Sequence, residues 1–217
     1  MLKYDFHHVI SPNCYPNLFQ QTTSTIMKKR MIWMSAIMII VLMSLNVSLF
    51  AQTKYTLAPS PELKVEGGST LHDWHMTSNT AKGDGMFEMD GNQFKGIKSL
   101  TVTLVAETLK SGTKGLDNNA YKALQTTKHK EIKFTLKEIT GSGNNYQAKG
   151  DFTIAGVTKP ATFPVKLVQN GNKLTFDGSF ATKLTYFSVD PPTALMGTVK
   201  TKDEITISFK TTFQPTN

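Results

Sequence analysis

From Gln52 to the C-terminal Asn217 the chain has no cysteine and no arginine; its single Cys14 and single Arg30 both lie upstream. Each absence removes a class of chemistry. Without cysteine there is no thiol nucleophile, no thiolate ligand and no disulfide, so this part must stabilise itself by burial. Without arginine there is no bidentate guanidinium, the group favoured for phosphate and base recognition. The cationic side chains are 20 lysines against 15 acidic residues, a net charge of +5, scattered rather than clustered. That pattern disfavours nucleic-acid binding and suits a solvated surface with blunted strand edges. Also missing are a glycine-rich phosphate loop, a nucleophile elbow, internal repeats and a low-complexity linker. No catalytic set emerges, and the chain is expected not to be an enzyme.

The one long hydrophobic run lies near the N-terminus. Lys28, Lys29 and Arg30 precede the uncharged stretch 31–50, and Ala51 follows. This is the order of a secretory signal peptide, which places Met27 at its start and residues 1–26 as an upstream extension outside the native protein. Cleavage after Ala51 would release residues 52–217. At about 1.5 Å per residue the run also suffices to span a bilayer, so an uncleaved anchor is the alternative. Either way the expected location is periplasmic or secreted. The remaining length is enough for one domain with a sizeable core.

What that domain contains is alternation. Leu100, Val102, Leu104 and Ala106 share one face of an extended segment; so do Ile132, Phe134 and Leu136. Leu174, Phe176 and Phe180 follow the rule with Gly178 between them, as do Ile205, Ile207, Phe209 and Phe213. The intervening residues are polar, so each strand has one wet and one dry face, as in an antiparallel sheet. Asp90-Gly91 and Asn170-Gly171 read as hairpin turns, and Gly141 to Asn145 as a longer loop. Gly150 to Lys166 reads as another hairpin, with Phe152 and Ile154 dry on one arm and Phe163 and Val165 on the other. About eight strands at this spacing make an all-β sandwich or barrel. One segment departs from it: Leu116, Ala120, Ala123 and Leu124 recur at helical spacing, with Asp117 as a cap, and predict one short α-helix.

Two groups of side chains are candidate sites. His72, Asp73 and His75 crowd together around Trp74, and His129 could add a third imidazole. On a regular strand His72 and His75 point to opposite faces, and zinc sites need three or four ligands in fixed geometry, so local hydrogen bonding and packing are favoured and no metal is assigned. The inward aromatics allow two readings with identical periodicity. They fill a solid core, or they line an elongated cavity, because eight-stranded barrels are just wide enough for either. Met86, Met89 and Met196 suit both.

Several stretches carry a family resemblance. They are Gly67 to Trp74 (GGSTLHDW), Leu116 to Leu124 followed by Lys128 to Phe134, Gly150 to Pro160 (GDFTIAGVTKP), and the C-terminal set Phe180 to Phe187, Pro191-Pro192, Gly197 and Asp203-Glu204-Ile205. Together they resemble the YceI-like family of exported bacterial proteins, over about Thr53 to Phe213. The resemblance implies an all-β, eight-stranded antiparallel lipocalin-like β-barrel with one short α-helix. It implies an apolar cavity for a polyisoprenoid or quinone-like long lipid, and no catalytic residues. On that reading the ligand-facing wall is Phe87, Phe134, Leu136, Phe152, Ile154, Phe163, Phe176, Phe180, Phe187 and Phe209, with the amphipathic rings of Trp74 and Tyr121 at the mouth. Two departures stand out: His129-Lys130 where relatives often carry Tyr-Pro, and no arginine before the helix. The alternative is a filled barrel serving as a structural or interaction module in the cell envelope.

Overall fold

The structure is a computed structural model that describes Arg30, Met31, Trp33, Met34 and residues 51–216. The upstream extension and nearly all of the expected signal segment lie outside the described residues. The strands are β1 (Ala51–Leu57), β2 (Glu62–Ser69), β3 (Asp73–Ser78), β4 (Lys82–Asp90) and β5 (Gln93–Val105). Helix α1 (Lys114–Ala123) follows, then β6 (Glu131–Ser142), β7 (Asn145–Ile154), β8 (Val157–Asn170), β9 (Lys173–Lys183), the two-residue β10 (Thr193–Ala194) and β11 (Val199–Pro215).

All pairings are antiparallel, and the sheet closes on itself into an eight-strand barrel. Ten of the eleven strand segments fill eight positions because two positions are shared, and the two-residue β10 is an extra pairing on β11. β1 and β2 run in line along one side of β11, β1 against Phe213–Pro215 and β2 against Thr201–Lys210. β4 and β3 answer them in line on the next position. The break between β1 and β2 is Ala58-Pro59-Ser60-Pro61. Neither proline can donate to a ladder, and Ser60 sits at φ 59°, so the chain cannot stay extended there.

Turn chemistry sets the hairpin registers. Ala155 (φ 49°) and Gly156 (φ 80°) form a two-residue connection with both central residues at positive φ, the geometry that matches strand twist. The turn after β8 is centred one residue later than the sequence suggests. Asn170 is the last paired residue, and Gly171 alone of the central pair takes a positive φ, 59°. The loop expected over Gly141 to Asn145 is tighter than that, because Ser142 pairs with Asn145 across two residues.

The Gly150–Lys166 hairpin is continuous strand, but its prolines mark a fault in the wall. β8 pairs with β7 from Val157 onward, yet joins β9 only from Val165, opposite Gly178. Pro160 and Pro164 offer no N–H on that stretch. The resulting seam between β8 and β9 is closed by side chains: Tyr186 donates its hydroxyl to Pro160 O at 3.2 Å, and Lys159 Nζ stands 5.3 Å over the Tyr186 ring.

At the end formed by the β4–β5, β6–β7 and β8–β9 turns the barrel is filled. Tyr55 stacks on Phe87 at 4.5 Å, and Phe213, Phe176 and Phe94 surround Phe87 at 5.6, 6.1 and 6.2 Å. A second apolar cluster lies at the other end. Met76, Leu104 and Leu109 are buried there against Leu63, Val65, Leu116 and Ala120, so α1 packs its apolar stripe over the divergence of β3 from β5. Asp117 does not cap that helix. It is buried, and its Oδ1 accepts from the Ser111 N–H (2.8 Å) and hydroxyl (2.7 Å) in the preceding loop, while the N-cap position is Thr113.

Candidate functional site: an apolar cavity above an aromatic plug

Between the plug and the open end lies a cavity of about 1160 Å³. Alternation explains its wall. Ile132, Phe134 and Leu136 of β6, Phe152 and Ile154 of β7, Phe163 and Val165 of β8, and Ile205, Ile207 and Phe209 of β11 all reach it from successive inward positions. Helix α1 adds Leu116, Ala120 and Ala123. Among the described residues Lys64 is the only lining residue with a permanent charge, paired with Glu66, and no carboxylate lines the cavity. Among the described residues no buried side-chain nitrogen or oxygen lacks a hydrogen-bond partner. The interior therefore presents no unmet polar demand and suits a ligand that is apolar along its length. Of the polar lining groups, Ser69, His72, Thr113, Asn119, Thr193 and Thr201 belong to the open end, on the β2–β3 tip, around the start of α1, on β10 and at the start of β11. Ser208 and Thr211 line it further along β11, Thr211 donating its hydroxyl to Phe176 O at 3.5 Å.

Glycines opposite large rings keep the wall thin. A Cβ on Gly67 would meet Trp74 Cζ2 at 2.7 Å, one on Gly150 would meet Phe134 Cζ at 2.6 Å, and one on Gly178 would meet Phe209 Cζ at 2.7 Å. Each ring lies down against a neighbouring strand where no side chain stands, and each is on the cavity wall. Trp74 is fixed further by its Nε1–H, which donates to Gly68 O at 3.0 Å.

Of the twelve side chains expected to face a ligand, Trp74, Phe134, Leu136, Phe152, Ile154, Phe163, Phe176 and Phe209 line the cavity. Four do not. Phe87 is wholly enclosed in the plug. Phe187 is buried in the connection after β9, edge-on to Tyr186. Phe180 stands in the seam: it stacks on Phe152 at 5.6 Å and packs on Phe163 at 5.8 Å, and its other side faces a shallow outer pocket with Pro160 and Tyr186. Tyr121 is a brace rather than a mouth residue. Its hydroxyl donates to Leu109 O (2.7 Å), with Glu107 O also in reach (3.0 Å), and accepts from Lys110 Nζ (2.8 Å), which holds the Lys110 ammonium above its ordinary value. Of the three methionines considered, only Met196 lines the cavity; Met76, unremarked in the sequence, joins it.

The histidines are not brought together. His72 is exposed in the β2–β3 turn with Nδ1 2.8 Å from Asp73 O, His75 is exposed opposite Glu66, and the His129 ring packs against Gly156. Among the described residues no group of three histidine, cysteine or acidic side chains is placed to hold a metal ion.

Similarity to other proteins follows the fold. The chain shares 41% identity over 49 residues with a UPF0312 protein of Serratia proteamaculans, covering 23% of this chain and 26% of that protein. It shares 31% over 91 residues with a UPF0312 protein of Pectobacterium carotovorum, covering 41% and 47%. It thus spans between about a quarter and a half of these curated relatives. In structure it resembles BcnA of Burkholderia cenocepacia (TM-score 0.58, 21% identity, 70% of this chain and 95% of that one). It also resembles a polyisoprenoid binding domain from Saccharophagus degradans, implicated in plant cell wall breakdown (TM-score 0.56, 10% identity, 75% and 98%). At identities this low, those TM-scores show a shared fold alone. Residues 60–213, most of the chain and nearly all of the barrel, match the YceI-like domain, and the chain belongs to the YceI-like family.

Proposed function

We propose that this protein is a lipid-binding barrel that holds one long apolar molecule, a polyisoprenoid or quinone-like lipid, with its polar end at the open end of the barrel. The observation that carries this reading is the cavity of about 1160 Å³, walled mainly by aliphatic and aromatic side chains and, among the described residues, by no carboxylate. Water in such a space gains few hydrogen bonds, and a hydrocarbon replacing it gains about 25 cal/mol per Å² of apolar area removed from water, before entropic costs. The barrel relative described as a polyisoprenoid binding domain supports the ligand class. The YceI-like family and the relative described as a polyisoprenoid binding domain support a binding role rather than catalysis. We place the protein in the periplasm or outside the cell, on the strength of the basic cluster and apolar run before Ala51.

The filled-barrel alternative fits only the plugged half. Native mass spectrometry of protein purified without detergent tests the reading. The expected result is a co-purified isoprenoid, or stoichiometric uptake of added polyprenol or quinone. Apo protein alone, with no uptake of either, would overturn it. Fractionation of the native cells checks location, and a cytoplasmic pool only would overturn export.

A further inference from the structure

Among the described side chains of the barrel domain, Leu71 and Met196 are the most exposed large apolar ones: Leu71 is 67% exposed and Met196 fully so. Both also line the cavity, so they stand where it opens to solvent. They come from separate segments that backbone hydrogen bonds tie into one rim. The Thr70 N–H donates to Lys200 O (2.9 Å), the Lys200 N–H donates to Thr70 Oγ1 (3.1 Å), and the Thr201 N–H donates to Pro192 O (3.1 Å). Met196 holds a left-handed backbone, φ 56°, followed by Gly197 at 88°. That conformation is unfavourable for a residue with a Cβ, and here it aims an unbranched apolar side chain into water. Lone exposed apolar residues need no explanation. Two on the tied lips of an apolar cavity are another matter.

The charges around the lips are mainly basic. Lys200 and Lys202 alternate with the lining residues Val199 and Thr201, and Lys114 lies between the lining residues Thr113 and Gly115; all three are exposed. Exposed Asp73 and Asp190 are the acidic residues of the same rim, while Glu66, Glu204 and Asp203 are engaged with Lys64, Lys183 and Thr185.

We propose that this rim is a docking surface for the interface of a phospholipid bilayer with anionic headgroups, with Leu71 and Met196 entering the acyl boundary and the lysines meeting the headgroups. The inference rests on the lipid-binding reading above and names where the ligand comes from. A long lipid crossing water would lose about 0.8 kcal/mol for each methylene exposed, whereas a mouth seated on the bilayer keeps it covered throughout. Apolar tips flanked by lysine are the pattern of reversible interfacial binding, and two tips give weak, salt-sensitive attachment rather than anchoring.

The test uses the barrel from Gln52, because residues 51–216 carry the closed sheet and its core, and the apolar run before it would bind vesicles by itself. Trp74, its only tryptophan, lines the cavity and serves as an intrinsic reporter. Co-sedimentation is measured with phosphatidylcholine vesicles and with vesicles containing phosphatidylglycerol. The expected result is binding that favours the anionic vesicles, weakens with salt, shifts Trp74 emission, and falls about tenfold in a Leu71→Ser/Met196→Ser variant. That variant should melt like wild type, since both side chains are exposed. No vesicle binding by wild type, equal binding to neutral vesicles, or full binding by the variant would each overturn the proposal. So would a wild-type dimer in sedimentation that the variant abolishes, because a second copy would then be the occupant. Docking by a barrel that takes up no polyprenol would sink the lipid-carrier reading and leave the docking surface standing.

Discussion

An inward aromatic in this barrel is plug, wall or, like Phe176 and Phe213, the floor where the two meet, and plug and wall differ in what their removal costs. Phe87 is surrounded by four rings and has no free side. Phe87→Ala should cost about 3–5 kcal/mol of stability, by lost contacts plus a cavity that cannot collapse. Phe209 packs on Phe163 at 5.6 Å with another side on the cavity, so Phe209→Ala should cost clearly less while weakening uptake of polyprenol. Urea denaturation and ligand titration on both variants check the split; equal stability losses would show that the cavity is not a true void. The glycines make a complementary prediction. A Cβ at Gly150 would come within 2.5 Å of Thr135 O and 2.6 Å of the Phe134 ring. Gly150→Ala should therefore cost about 1–3 kcal/mol by overpacking, read as a lower urea midpoint with an unchanged m-value.

Among the elements, α1 and the crossover around it depend on a charge. The Asp117 carboxyl is held below its ordinary value chiefly by the hydrogen bond from the Ser111 hydroxyl and then by the Ser111 N–H. A carboxyl depressed in the folded state contributes stability that is complete above its unfolded value, about 3.9, and is lost as pH falls through the lower folded value. Asp117→Asn should thus be less stable than wild type at neutral pH, with the gap closing below about pH 4. A gap that stays constant down to pH 2 would mean the charge is not what matters. The strands themselves were legible, because a period of two survives in Leu100–Leu104, Ile132–Leu136 and Ile205–Phe209. Depth along the barrel axis was not. Alternation assigns Phe87 and Phe134 to the same face and says nothing of which lies beneath the cavity. Tyr121 was misplaced for a related reason: an amphipathic ring suits a mouth or a brace equally, and only the Leu109 and Glu107 carbonyls decide. Leu63, Val65 and Met76 were missed because β1–β2 and β3–β4 each look like separate short strands, although they share barrel positions. The seam was half visible, since Pro160 and Pro164 announce unpaired backbone but not which neighbour is lost. It carries its own prediction: Phe180→Ala removes the ring between cavity and outer pocket, and should speed exchange of a fluorescent prenyl probe several-fold in stopped-flow measurements. Unchanged rates would show that the seam is a sealed wall.

At the scale of the whole molecule, a barrel filled at one end and hollow at the other divides its labour. The plug of Tyr55, Phe87, Phe94, Phe176 and Phe213 gives the closed sheet a core that needs no ligand. In the hollow half Phe134, Phe152, Phe163 and Phe209 face the cavity as well as one another, and each atom on the cavity surface forfeits dispersion contacts that a close-packed interior would have. An occupant restores them, so it should bind the native state and not the unfolded chain. Linkage then fixes the size of the effect. Free ligand at a hundredfold excess over its dissociation constant stabilises by about 2.7 kcal/mol. For a domain of this length that raises Tm by about 5–11 °C. Protein stripped of lipid by organic extraction and refolded should melt lower than protein as purified by that margin, and added polyprenol should recover it in a concentration-dependent way. A short alcohol, which lacks the length to span the cavity, should not. Identical melting of stripped, native and reloaded protein would mean that the hollow half is already as stable empty as full, and that nothing of this size and chemistry is its ligand.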